Sequence, residues 1–201
     1  MTSFPINIPT ATGIATFKMI PRNAVVMNSS PYTGHQQVQS FSGEWWECEV
    51  TLPIMERANA EEWISFINLL RGPSYTFLMG DPEGATPRGT PTGTILVNGA
   101  SQTGTALDLK GFTASATGVF KAGDYIQIGT NLYKVLTDTD ADGSGNATVE
   151  IFPRIRTAHA DEASVTTSNT KGIWRLKPGI VSWSSGPDGL VNMSFEAIEA
   201  F

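Results

Sequence analysis

Polar and apolar residues alternate with period two from Glu44 to Leu52 (Glu-Trp-Trp-Glu-Cys-Glu-Val-Thr-Leu). Trp46, Cys48, Val50 and Leu52 fall on one side; Trp45, Glu47, Glu49 and Thr51 fall on the other. Such alternation in aromatic and β-branched residues predicts a strand with one buried and one wet face. After Pro53 the period changes. Trp63, Phe66, Ile67 and Leu70 recur at i, i+3, i+4 and i+7, the apolar stripe of an amphipathic helix. Asn59 with Glu62 has the spacing of a capping box at its start. Arg71 lies at the negative end of the helix dipole, and Gly72-Pro73 stops the helix. Tyr75 to Met79 resumes the strand period before Gly80-Asp-Pro82 turns the chain.

Upstream, Phe4–Pro9 reads as an extended arm lying on a neighbour or on its own sheet. Ile14–Ile20, Asn23–Asn28 and Gln36–Phe41 read as short strands. The Pro-, Gly- and Thr-rich run from Pro82 to Gly93 carries no large apolar residue and reads as a boundary. Beyond it the pattern is all β: Ile95–Val97, Ala106–Leu109, Tyr125–Ile128, Leu132–Leu136, Ala147–Phe152 and Val165–Thr167. Lys121–Leu136 reads as a hairpin of a small closed barrel. Near the end, Ile173–Leu176, Ile180–Trp183 and Leu190–Ala197 read as strands, with Val191, Met193, Phe195 and Ala197 on one face. A lone terminal hairpin is unstable in water, so it is expected to pair with the sheet before the boundary. The expected fold is mainly β with one helix: an antiparallel β-sandwich flanked by an α-helix, plus an inserted small all-β barrel-like domain. The expected domains are 1–85 with 171–201, and 86–170.

Composition narrows the function classes. Of the 201 residues, 40% are hydrophobic and 16% charged, with net charge −6. A nucleic-acid reader needs a basic stripe, whereas Glu44–Glu62 holds six acids against Arg57 alone. No sequence-specific nucleic-acid binding is expected. No window reaches the roughly 18 apolar residues of a membrane span, and the N-terminus lacks the basic start and apolar run of a secretory signal. Folding in a cytoplasm, without membrane contact, is expected. The single cysteine, Cys48, falls on an inward face as a small hydrophobe.

Asp138-Thr-Asp140-Ala-Asp142-Gly143-Ser-Gly-Asn146 matches a calcium loop at positions one, three, five, six and nine, but position twelve is Val149 and both flanks are strands. Asp, Gly and Asn equally suit a hairpin turn. The departures favour the turn. His35 and His159 have no second His at ligand spacing and read as surface or turn residues; Asp161 and Glu162 read as solvated. No nucleophile elbow, Walker loop, zinc-protease helix or dinucleotide fingerprint occurs. No catalytic residue, metal or cofactor is expected. Of the five tryptophans, Trp46, Trp63 and Trp183 fall on expected buried faces. Trp45 and Trp174 remain for a subunit interface or a sugar-stacking platform, with the interface favoured.

The order of Thr51-Leu-Pro53, Ala60-Glu-Glu-Trp63, Arg71-Gly72 and Phe77-Leu-Met-Gly-Asp-Pro82 resembles the distal tail proteins of long-tailed bacteriophages and prophages. Leu96–Gly104, Lys121-Ala-Gly-Asp124, Tyr133-Lys-Val-Leu136 and Gly145-Asn-Ala-Thr148 resemble that family's insertion. The likeness covers most of residues 44–176, and its motifs are structural. It implies a structural virion protein at the tail tip, assembled in the host cytoplasm as a hexameric ring. That ring joins the tail tube protein to a baseplate hub around a DNA channel, and the family brings no catalytic residues. Interface positions are expected at Phe4, Ile6 and Trp45. A carbohydrate- or receptor-binding tail module is the alternative, and a cell-wall hydrolase the third reading.

Overall fold

The structure, a computed structural model, describes residues 3–201, and Ile180 by its backbone only; the first two residues of the expected 1–85 segment lie outside it. The fold is mainly β with a single α-helix. In chain order the elements are β1 (Ile6–Asn7), β2 (Thr16–Ser29), β3 (Gln36–Thr51), β4 (Met55–Glu56), α1 (Arg57–Leu70), β5 (Phe77–Met79), β6 (Gly93–Val97) and β7 (Gly104–Phe112). They continue as β8 (Tyr125–Ile128), β9 (Asn131–Val135), β10 (Asn146–Ile155), β11 (Val165–Thr166), β12 (Gly172–Ser185) and β13 (Leu190–Glu199).

Two sheets result. The first runs β1-β5-β12-β13-β3-β2, with β4 also pairing β13. It is antiparallel except for β1, which lies parallel to β5. The terminal hairpin β12–β13 joins this sheet, pairing with β5 on one side and β3 on the other. The second sheet runs β11-β8-β9-β10-β7-β6. A bridge between Leu96 and Ser164 brings its ends together, so it nearly closes into a barrel.

Each sheet has its own apolar core. α1 lays Trp63, Phe66, Ile67 and Leu70 on the first sheet, all at most 6% exposed. There Trp63 and Phe77 both pack against Phe195. Burying an indole leaves its N–H in need of an acceptor. Trp63 donates to Thr12 Oγ1 (2.9 Å), Trp174 to the Met79 carbonyl (2.8 Å) and Trp46 to the Leu132 carbonyl (3.3 Å). Leu107, Leu109, Val149 and Ile151 centre the barrel core. Tyr125 and Leu132, although on barrel strands, pack into the first core, and Trp46 meets Phe152 edge-on at 4.7 Å.

Charged groups fasten the same junction. Arg156 makes a two-armed contact with Glu199, and its Nη1 also donates to the Glu44 carbonyl (2.6 Å). The Glu199 carboxylate accepts the Trp46 backbone N–H (3.0 Å), and Glu44 accepts that of Arg154 (2.7 Å). The Glu199 side chain is 2% exposed. A charge so withdrawn from water persists only when paired and hydrogen-bonded.

Several expectations change. The helix begins at Arg57, not after Asn59: Met55–Glu56 pairs with Leu190–Val191 and feeds the chain straight into α1, so no side chain caps it. Arg71 acts through its backbone, which turns left-handed (φ 49°) and returns its N–H to the Asn68 carbonyl. The short strands expected at 14–20 and 23–28 merge into β2, and Gln36–Phe41 merges into β3. A bulge in β3, where Phe41–Gly43 stand opposite Ala24 alone, absorbs the composition that reads as a break. A register shift between Leu176 and Val181 likewise carries β12 through Gly179.

Trp174 is fully buried, and Trp183 is 45% exposed. Trp183 pairs with the buried Met193, so its face is as expected, but it sits beside α1 rather than beneath it.

Candidate interaction surfaces

Beyond Asn23 and Glu44, β2 and β3 continue as a two-stranded ribbon that no third strand joins among the described residues. Its register sets Val25 against Ser40, Val26 against Gln39 and Met27 against Val38. Alternation then puts Val25, Met27 and Val38 on one face and Val26 and Gln39 on the other, with Phe41 in the bulge beside them. All five apolar side chains are about half exposed, and Tyr32 at the tip is 95% exposed. No Asp, Glu, Lys or Arg occurs from Asn23 to Gly43. An isolated hairpin is marginal in water, and edge strands are usually protected by charge. This one has neither backing nor charge.

A second apolar feature lies at the other corner of the sheet. Trp183 stands between two clefts. One, of about 320 Å³, is lined by Ile67, Pro73, Leu176, Pro178 and Val181. The other, of about 330 Å³, is lined by Ala60, Ile64 and Val191 with Arg57 and Glu61. Two of the rim charges are balanced by neighbours, Arg57 by Glu61 and Lys177 by Glu47 and Glu196, and Arg71 at the edge of the first cleft is exposed. Alongside, among the described residues, Val181–Ser185 pairs with β13 only, so the sheet is open there as it is along β2.

The remaining candidates are occupied internally. Phe4 stacks on Tyr75 at 4.1 Å, and Phe4 and Ile6 pack on the first core, so the N-terminal arm lies on its own sheet. Trp45 is half-buried, with its indole N–H directed to Glu47 (3.4 Å). Glu47, expected on a wet face, is buried and accepts from Arg22 (3.0 Å) and Lys177 (3.2 Å). Burial pushes its pKa up, but the hydrogen bonds from Arg22, Lys177 and Trp45 outweigh that and hold it below the ordinary carboxylate value. Its stabilisation is therefore full above the unfolded pKa and fades as pH falls through the lower folded one. Glu47→Gln should be less stable at neutral pH and lose less on acidification from about pH 5 to pH 3, by thermal melts.

The three aspartates of the calcium-like loop point to separate donors. Asp138 takes Lys121 Nζ (2.9 Å) and the Ala122 N–H (2.9 Å); Asp140 takes the Gly118 N–H (2.6 Å); Asp142 takes those of Ser144 and Asn146 (both 2.8 Å). Those backbone donors hold the Asp142 pKa down. Among the described residues no three His, Cys, Asp or Glu side chains form a metal-holding group. Titrating calcium into the protein in a calorimeter should give no binding heat, with Asp140→Ala as the control.

His159 lies in the loop after β10, half-buried. Its Nε2 lies 2.9 Å from the Tyr133 hydroxyl, and burial lowers its pKa while pushing that of Tyr133 up to about 12. His35 is exposed. Asp161 is exposed, as expected, and accepts the Gly99 N–H (2.8 Å) and Lys110 Nζ (3.2 Å). Cys48 is buried, and desolvation raises its pKa far from the thiolate range.

The sequence reading missed the ribbon and the Trp183 clefts. An uncharged run from Asn23 to Gly43 was the legible signal for the first; for the second there was none, because it depends on where α1 stops covering the sheet. No known family model matches the chain, and neither does any curated protein.

Proposed function

We propose that this chain is a structural virion protein of a long-tailed bacteriophage, a distal tail subunit that works through its contacts with other subunits. Copies form a ring, six-membered as the resemblance implies. The ring joins the tail tube protein on one face to the baseplate hub on the other, around a channel for DNA. The observation that carries this reading is the uncharged ribbon of β2 and β3, bare of cover on both faces. Interfaces of permanent assemblies centre on apolar side chains and exclude charge. A sheet open at β2 and along Val181–Ser185 also offers two different surfaces for head-to-tail association, which closes into rings when the rotation allows. The net charge of −6 suits a wall along which DNA slides without phosphate neutralisation.

The test is the assembly state. Native mass spectrometry and negative-stain images of the purified protein should give a six-fold ring at high concentration. A strict monomer under those conditions would overturn the proposal.

A further inference from the structure

We propose that the β2–β3 ribbon of one copy seats in the two clefts flanking Trp183 of the next copy, a head-to-tail contact between unlike surfaces. The inference rests on the reading above that copies of this chain assemble, and it names the surfaces by which they do so.

The ribbon needs a particular kind of partner. Val25, Met27 and Val38 cover one face and Val26 the other, with Phe41 exposed in the bulge, so a flat surface would leave some of them in water. A concave, apolar site that meets both faces is required. It must also be uncharged at its centre, because the ribbon carries no Asp, Glu, Lys or Arg to answer a buried charge. Nucleic acid and acidic partners fail on that ground.

The chain carries a site of this kind and cannot fill it by itself. Each cleft has room for side chains of valine or methionine size, and the exposed indole of Trp183 stands between them. Of the charges at their rims, Arg57 is paired with Glu61 and Lys177 with Glu47 and Glu196, while Arg71, at the edge of the first cleft, is exposed to water. In the sheet, β13 and β3 separate β12 from β2. Along the strands, the ribbon leaves the sheet beyond Glu44, past the Glu47–Ile198 pair at the C-terminal end of β13, whereas Trp183 meets Met193 towards its other end. Ribbon and clefts therefore occupy opposite corners of one sheet. Only a second copy can bring them together, and the contact is necessarily heterologous.

Complementation tests this arrangement. The ribbon variant carries Val26→Asp and Met27→Asp, one charge on each face; the cleft variant carries Trp183→Asp. All three sites are exposed, so each variant should fold, checked by circular dichroism and melting. Each alone should associate roughly 30-fold or more weakly than wild type, the size of a hot-spot loss. Mixed in equal amounts, they should form a one-to-one heterodimer and stop there, since a single intact ribbon meets a single intact cleft. Analytical ultracentrifugation reads the outcome. If wild type assembles but the mixture stays monomeric, or if the Trp183 variant assembles as wild type does, this pairing is wrong while the ring reading stands. If wild type is itself monomeric, both fall.

Discussion

Arg156→Met is expected to destabilise the protein by about 3–5 kcal/mol, read from urea unfolding. The loss comes from what is left behind. Glu199, at 2% side-chain exposure, loses its ion-pair partner and is left with the Trp46 N–H, and the Glu44 carbonyl loses a donor. A change of the whole junction distinguishes this from simple loss of packing. The double variant Arg156→Met with Glu199→Gln removes both charges and keeps an acceptor for Trp46, so it should recover at least half of the loss. An Arg156→Met protein within about 1 kcal/mol of wild type would show that the pair does not hold the two sheets together.

Trp63→Ala is expected to cost a further-reaching 3–5 kcal/mol, of order 10 °C in melting temperature for a chain of this size. Trp63 is fully buried, packs against Phe66 and Phe195, and ties α1 to the N-terminal segment through Thr12. Its removal leaves a cavity beneath the helix and an unanswered hydroxyl above it. Trp183→Ala, measured alongside, should cost less than about 1 kcal/mol in the monomer, because that indole is already half in water. Equal losses at the two positions would mean that Trp183 is part of the core.

These two tryptophans mark the limit of what local patterning reveals. Periodicity identified the faces: Trp46, Cys48, Val50 and Leu52 are all buried, as are Val191, Met193, Phe195 and Ala197. It also found every strand of the barrel-like sheet to within a few residues, because each is short and bounded by turn formers. What it could not contain is cover. Trp183 obeys the same alternation as Met193 but lies at the margin of α1, and Trp174, read as a surface candidate, is enclosed by β5 and β13. Glu47 alternates as a solvent residue would, and only the arrival of Arg22 and Lys177 from other strands makes its burial tolerable. Breaks were similarly misread at Ser42-Gly43 and Pro178-Gly179, since a bulge and the end of a strand share a composition. For the candidate surfaces, the exposed ribbon was legible as missing charge. The clefts depend on tertiary placement alone.

The position of β13 dictates an order of events during synthesis. All strands of the barrel-like sheet lie within residues 93–166, so that unit is complete on emerging from the ribosome. The first sheet lacks its middle until Leu190–Glu199, which follow the whole barrel-like unit in the chain, slide between β12 and β3. Until then the apolar sides of β3 and α1 have no cover, and closing the sheet joins segments more than a hundred residues apart, a slow step that favours aggregation at high expression. Nascent chains stalled before residue 190 should therefore hold a folded barrel behind an unfinished amino-terminal half, and lowering the growth temperature should raise the soluble yield.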